Sequence, residues 1–326
     1  DGYLYVIDMY RQHIETPFAI PEDLKADMDF MNGAELGRIY RVVPKKSASA
    51  ERIPDTRNFS TKDWIALLQH PNQAWRLHAQ RRLIEMQDTS AEEELMTIFK
   101  NNDDYRIRLH ALFTLEGLHL ISEKLMLAAL ADKAPGIREA GLGLCEQYPL
   151  LSSRIIERIR DTVAGVSFQA VLSAGGLPAG ETMESMIWTV NKYSESKWFR
   201  KAVLCSNAGS SPQFIAWLHR KSGFFRSEAE GRLGFIQEYA SMTATRNGVH
   251  EIADLLNFFI GSELDNKESW VRAAMTGINQ AMIDTGNKFQ DNEVVKAVRQ
   301  IEDDFPSKEM RLLASSVKKH FSGAEQ

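Results

Sequence analysis

The chain has only two cysteines in 326 residues, Cys145 and Cys205, and they form no Cys-x-x-Cys pair. That scarcity excludes a disulfide framework, a thiolate zinc site and the Cys-x-x-Cys-His attachment of a c-type haem. The two cysteines fall in equivalent second helices of repeats that are not adjacent, beyond the ~7 Å Cα separation a disulfide spans, and both are expected to be buried free thiols. There is no His-Glu-x-x-His and no Gly-x-Ser-x-Gly, so no hydrolase signature is present. The longest apolar run, Leu125 to Ala131, covers seven residues; a helix crossing a bilayer needs about 20. A net charge of -5 leaves no cationic excess of the kind a phosphate-binding surface requires. What the chain does have is 44% hydrophobic and 25% charged residues, a balance that builds a large core.

An apolar residue followed by arginine, with a small residue close behind, recurs along the chain. The arginines are Arg76, Arg108, Arg138, Arg200, Arg226, Arg272 and Arg311, and the small partners are Ala79, Ala111, Gly141, Ala202, Ala229, Ala274 and Ala314. The first three arginines are 32 and 30 residues apart, and the 62-residue gap from Arg138 to Arg200 is two periods with Phe168-Gln169 where one arginine is missing. Such a period is two helices long, and one such unit buries its apolar face only by stacking on its neighbours. The expected fold is therefore all-α, an α-α superhelix of about eight helix pairs behind a short β segment. The predicted pairs are 61–86, 90–118, 121–148, 150–176, 180–207, 211–245, 248–284 and 290–321. Ser90, Ser122 and Ser211-Pro212 read as helix starts, and Gly175-Gly176, Gly223 and Gly286 as stops. The second helix of the sixth pair reads from Arg226 to about Thr245.

Each arginine follows a polar turn with an acceptor, as in Asn72, Asp104, Asp132 and Glu268. The simplest reading is a structural ladder in which the planar, five-donor guanidinium forks onto its own turn or onto a neighbouring repeat. Removing Arg108 is then expected to cost about 1–3 kcal/mol. His78 and His110 share the words Arg-Leu-His-Ala in adjacent repeats; helices packed about 8–10 Å apart do not bring two imidazoles onto one zinc ion, so both read as structural. Most of the six tryptophans lie on apolar helical stripes and read as core. No catalytic, cofactor-binding or metal-ligating residue stands out.

The front of the chain differs. Asp1–Asp8 and Gly37–Val43 alternate as strands, separated by an excursion, Met9 to Leu36, too long for a hairpin loop. Two strands alone are marginal in water, and the chain opens inside one of them, so it reads as a piece of a longer polypeptide whose upstream strands complete the sheet. Asp8, Tyr10, Arg11 and His13 cluster where the first strand ends and are candidate ligand contacts, with bracing of the loop as the plainer role. The expected domains are 1–43, a linker at 44–60 and a helical-repeat domain at 61–326. Phe18, Ile20, Phe30 and Met31 in the excursion are expected to be covered by packing around Trp64, Leu67 and Leu68.

The acidic turn, apolar-Arg pair and small residue resemble HEAT repeats. The run DGYLYVIDMYRQHIETPFAIPEDLK followed by GRIYRVVP resembles the last propeller blade of large bacterial proteins classed as membrane-bound dehydrogenases, and WIALLQHPNQAWRLHAQRRLIE and LHALFTLEGL follow in the same order. In that family a sugar-dehydrogenase-like β-propeller precedes a HEAT solenoid, a c-type cytochrome domain often comes last, and the protein is exported. The resemblance implies a non-catalytic scaffold in a periplasmic protein, with any quinone or haem held outside this chain and with proteins or neighbouring domains of the same polypeptide as partners. Nucleic acid is not an expected partner. The alternatives are a free-standing solenoid that binds a protein or peptide and, more remotely, a repeat-type DNA-repair glycosylase, which needs a basic concave face.

Overall fold

The computed structural model describes residues 3–14, 16–43, 54–246 and 248–322; the start of the first expected strand and residues 44–53 of the expected linker lie outside them. The chain divides into two compact units, residues 1–101 with 110–118, and residues 102–109 with 119–326. In the first, β1 (Leu4–Asp8) pairs antiparallel with β2 (Arg38–Val42), Leu4 facing Val42 and Asp8 facing Arg38. Alternation places Leu4, Val6, Tyr40 and Val42 on one face of this ribbon and Tyr5, Ile7, Ile39 and Arg41 on the other. Neither face is covered: the cross-strand pair Ile7 and Ile39 is 76% and 70% exposed.

Between the strands, a 3-10 turn (Pro17–Ala19) and the one-turn helix α1 (Glu22–Lys25) bury no residue. Phe18 is 98% exposed and Met31 69%, so the expected cover over these side chains does not form. The excursion satisfies its backbone locally instead, the Asp29 carboxylate accepting from the Met31 and Asn32 N–H groups at 2.8 and 3.1 Å, which leaves it no need of tertiary partners. Trp64 is closed over by Phe59, 5.1 Å away, and His78, 5.2 Å away.

Helices follow in pairs. α2 (Thr61–Leu67) starts from a capping box in which the Ser60 N–H donates to Asp63 at 2.8 Å and the Asp63 N–H to the Ser60 hydroxyl at 3.4 Å. α3 (Gln73–Met86) is capped by Asn72, which accepts from Ala74 at 2.9 Å. Before α4 (Glu92–Asn101) the cap is Asp88 and not Ser90: Asp88 accepts from the Ser90 N–H at 3.0 Å and the Thr61 hydroxyl at 2.5 Å. Three glutamates then occupy the first turn of α4, where the helix dipole favours them. In α5 (Tyr105–Gly117) the residues from His110 onward belong to this unit and the earlier ones to the second.

The second unit contains α6 (Glu123–Leu130), α7 (Pro135–Cys145), α8 (Ser152–Arg158), α9 (Ala164–Ala174), α10 (Ala179–Tyr193), α11 (Lys197–Leu204), α12 (Phe214–Lys221), α13 (Glu230–Thr245), α14 (Val249–Gly261), α15 (Lys267–Thr285), α16 (Asn292–Asp304) and α17 (Lys308–Phe321). Second helices touch second helices, in the order α7, α9, α11, α13, α15, α17, and among the first helices α10 touches α12 and α14 touches α16. That two-layered stack is the arrangement the period predicts, and the eight expected pairs coincide with α2 through α17. Ser122 caps α6 through the Leu125 N–H at 3.3 Å, and α15 closes on Gly286. Ser211 does not cap α12; its carbonyl accepts from the Tyr239 hydroxyl at 2.7 Å. In the sixth pair a 3-10 turn, Phe224–Arg226, precedes the second helix and drives Phe224 and Phe225 into the core, where Trp270 lies 6.0 and 5.0 Å from their rings. Cys145 is buried, and burial pushes its thiol up to about 11; Cys205, at the C-cap of α11, is exposed, contrary to expectation, between the buried Leu204 and Ser206.

α13 packs closely on α15 at Gly277. A Cβ there would run into the Gln237 carbonyl. Gly277→Ala is therefore expected to destabilise the protein by about 1–3 kcal/mol, since overpacking outweighs the better helix propensity of alanine. Gly143 in α7 has open space around its Cβ position, and Gly143→Ala should stabilise by about 0.5–1 kcal/mol. Thermal denaturation of the two variants checks both signs.

Candidate functional site

The repeated arginines share one geometric address. Arg76, Arg108, Arg138, Arg200 and Arg311 each stand four residues after the residue that precedes their helix: Asn72, Asp104, Ala134, Ser196 and Ser307. A side chain at that position leans back toward the helix N-terminus and so overhangs the turn behind it. Turn carbonyls left without partners lie there. One Nη1 of Arg76 donates to the His70 and Pro71 carbonyls at 2.8 and 2.6 Å; Arg138 does the same to Asp132 at 2.8 Å and Lys133 at 3.3 Å, and Arg200 to Ser194 at 2.8 Å.

In Arg108, Arg138 and Arg200 other nitrogens reach a carboxylate of the following repeat. Arg138 forks onto Asp161, Nε to Oδ2 at 3.0 Å and Nη2 to Oδ1 at 2.9 Å. Arg200 forks onto Glu238 at 3.1 and 2.8 Å, and Arg108 pairs with Asp132. The aspartates serve twice, because Asp132 also accepts from the Ala134 N–H at 2.7 Å and Asp161 from the Val163 N–H at 3.0 Å, holding the turns that lead into α7 and α9. Arg108, Asp132, Arg138 and Asp161 therefore form one connected relay, with Asp132 accepting Arg108 on its carboxylate and Arg138 on its carbonyl. Burial raises the Asp161 carboxyl, and the Arg138 hydrogen bonds, the Val163 N–H and the Arg158 charge outweigh it, so the group sits below its ordinary value.

Two repeats keep the address and change the residue, and a third moves the arginine. In α9 the address is held by Ser167, one residue before the Phe168-Gln169 expected to mark it, and its hydroxyl donates to the Ile159 carbonyl at 2.6 Å. In α15 it is held by Trp270, whose indole N–H donates to Asp265 at 3.2 Å. In α13 the donor comes one residue early: Arg232, three residues after Ala229, donates to the Phe224 and Gly223 carbonyls at 2.6 and 3.2 Å. Arg226 is exposed in the 3-10 turn, Arg272 lies two residues past the address and makes an exposed pair with Glu309 at 3.2 Å, and Arg311 is exposed. The apolar-Arg motif does not carry the phase of the helix start, which is why it selects Arg226 and Arg272 away from the address and misses Ser167 and Trp270 on it. An indole or hydroxyl four residues after a turn residue is the signal that finds them.

At the end of β1 the candidate contacts are each engaged locally. The Asp8 carboxylate accepts from the Tyr10 N–H at 2.8 Å. Tyr10 adopts a φ of 52°, and the Arg38 guanidinium lies 4.3 Å from its ring. Gly33, at φ 81°, passes against the Tyr10 carbonyl where a Cβ has no room. His13 lies 5.7 Å from Phe30, and Arg11 is half-buried. Asp8 and His13 are thus directed to different neighbours and do not converge on one point. The repeated histidines also part company: His78 is exposed between Trp64 and Trp75, whereas the Nδ1 of His110 lies 2.6 Å from Gln80, with burial and the Arg76 charge lowering its pKa.

Compared with known proteins, residues 1–46 match a family described as Domain of unknown function (DUF7133). No curated protein matches the chain. Among solved structures, the complex of CpcE and CpcF of phycocyanin lyase from Nostoc sp. PCC7120 is similar to 78% of this chain and 99% of its own, at 14% identity and a TM-score of 0.33. At that score the likeness decides nothing about this chain.

Arg108 and Asp132 are 5% and 8% exposed, so Arg108→Ala leaves a carboxylate buried without its cation and should cost about 3–5 kcal/mol, above the range the motif alone suggests. Arg272→Ala, at an exposed pair, should cost under about 1 kcal/mol. Chemical denaturation of the two variants tests the ranking. The lowered Asp161 pKa contributes stability that is complete above the unfolded carboxyl value of roughly 4 and is lost as pH falls through the folded value. Asp161→Asn should accordingly flatten the acid limb of a stability-versus-pH curve below roughly pH 4; an unchanged limb would refute the assignment.

Proposed function

We propose that this chain is a non-catalytic scaffold of stacked helix pairs that joins protein surfaces, and that the β1–β2 ribbon fastens it to a larger β domain of the same polypeptide. The observation that carries this reading is the ribbon. A strand with apolar residues on both faces belongs inside a sheet covered on both sides, and an open two-stranded pair with Leu4, Ile7, Ile39 and Val42 exposed is the surface of an interface. The likeness of residues 1–43 to a last propeller blade supports a sugar-dehydrogenase-like propeller as that domain, in an exported polypeptide. In this reading quinone, haem and substrate are held outside the chain, and the helix pairs set the spacing between the parts that hold them. A free-standing peptide-binding solenoid is the second reading. It is favoured by a cleft of about 310 Å³ lined by Ile215, Tyr239, Leu255 and Phe258.

Hydrogen exchange separates the two. The amides of residues 4–8 and 38–42 should exchange slowly in the natural polypeptide and fast in the isolated chain; fast exchange in both would favour the free-standing solenoid. The isolated chain should also oxidise no sugar with a dye acceptor, and turnover would overturn the non-catalytic reading.

A further inference from the structure

The first helices of three successive repeats carry cations that the ladder does not use. Arg160, just past α8, lies 5.6 Å from the ring of Trp188 in α10, and Lys192, one turn along α10, lies 4.8 Å from the same ring. At the end of α12, Arg220 and Lys221 each lie 5.6 Å from the ring of Trp217. Lys221 also lines, with Arg160, Trp188, Glu184 and Asn191, a cavity of about 340 Å³. The two tryptophans therefore belong to one surface, and α10 packs directly on α12.

Two properties of this surface ask for a partner. The four cations are exposed and, among the described residues, none has a carboxylate at salt-bridge distance, in a chain whose net charge is negative. A cation held over an indole face keeps its outer side open, so an incoming anion adds an ion pair without breaking the cation–π contact. Both indoles are only half-buried, and tryptophan with arginine is the pairing that anchors protein interfaces.

Resting on the scaffold reading above, we propose that this surface docks an acidic peptide segment of a partner protein, its carboxylates pairing with Arg160, Lys192 and Lys221 and an apolar side chain seated on Trp188. A peptide fits better than a nucleic acid because the cavity also contains Glu184. That carboxylate accepts a peptide N–H, a donor that a sugar-phosphate backbone does not have. The Asn191 side chain gives its N–H to the Ile187 carbonyl at 3.1 Å, which leaves its oxygen to accept a second one.

The test is fluorescence anisotropy of the full chain against three labelled probes: a peptide of alternating glutamate and tyrosine, its lysine-tyrosine counterpart, and single-stranded oligo-dT. The acidic peptide should bind, with affinity falling as salt rises. Trp188→Ala and the double variant Arg160→Glu/Lys221→Glu should each weaken it by at least about tenfold, as for removal of an interface anchor. The double variant alters exposed side chains only and should melt like the parent. No binding of the acidic peptide, equal binding of both peptides, preference for the oligonucleotide, or full affinity in the double variant would overturn the proposal. Those outcomes leave exchange at the ribbon untouched, so failure of this surface and failure of the scaffold reading are separately visible.

Discussion

The turn between the two helices of a repeat sets the constraint on which the stack depends. It leaves carbonyls without helical partners on the buried side of the chain, and a buried acceptor without a donor costs about 1–3 kcal/mol. A donor placed four residues into the next helix overhangs that turn and meets the need. Arginine does this with one nitrogen and has others left, so it also reaches the following repeat. Serine and tryptophan have a single donor, satisfy the turn, and stop there. Local hydrogen-bond satisfaction and inter-repeat connection are thus one problem where the residue is Arg138 and two separate problems where it is Ser167.

Burying guanidinium groups is costly in itself. Arg76 and Arg108 are 4% and 5% exposed and retain nitrogens without partners, so the arrangement is not the most stable filling of that space; apolar side chains of similar volume are often as good or better. What the ion pair adds is selection of a single register. Asp132 accepts from Arg108 while holding the turn into α7, and the two roles hold together only when successive repeats stack in one alignment. The aromatic cluster of Phe224, Phe225 and Trp270 takes over that task in the longer sixth repeat, where the second helix starts late and Arg232 reaches the turn from one residue earlier.

The architecture was legible because it repeats: small errors in any one helix do not shift a period, and Gly286, Ser122 and the polar turns punctuate it. The site was legible only in part. An apolar-Arg pair reports that a guanidinium lies near an apolar stripe, but not how many residues separate it from the helix start, and that count decides whether it reaches the turn. Arg226 and Arg272 carry the motif and miss the address by position, whereas Trp270 and Ser167 hold the address without the motif. The excursion was misread for a different reason. Phe18 and Met31 look like core, yet Asp29 supplies the backbone hydrogen bonds that core packing would otherwise have to protect, and no composition-based argument weighs a side-chain-to-backbone bond of that kind.

The serine at the head of α9 has a mechanical consequence. Arg108 and Arg138 tie their repeats to the next at the N-terminal ends of the second helices, and Arg200 ties its own to the middle of α13. Between α9 and α11 the pin is at the other edge, where the Asn207 N–H donates to the Gly175 carbonyl at 2.8 Å and its side chain to Gly176 at 2.9 Å. At that same edge the Ser173 hydroxyl donates to the Glu146 carboxylate at 2.7 Å, so α9 is tied to α7 at both ends and to α11 at one. A pull along the N-terminal edge therefore meets an ion pair at the joint before α9 and only the Phe168–Phe199 ring contact, at 5.1 Å, at the joint after it.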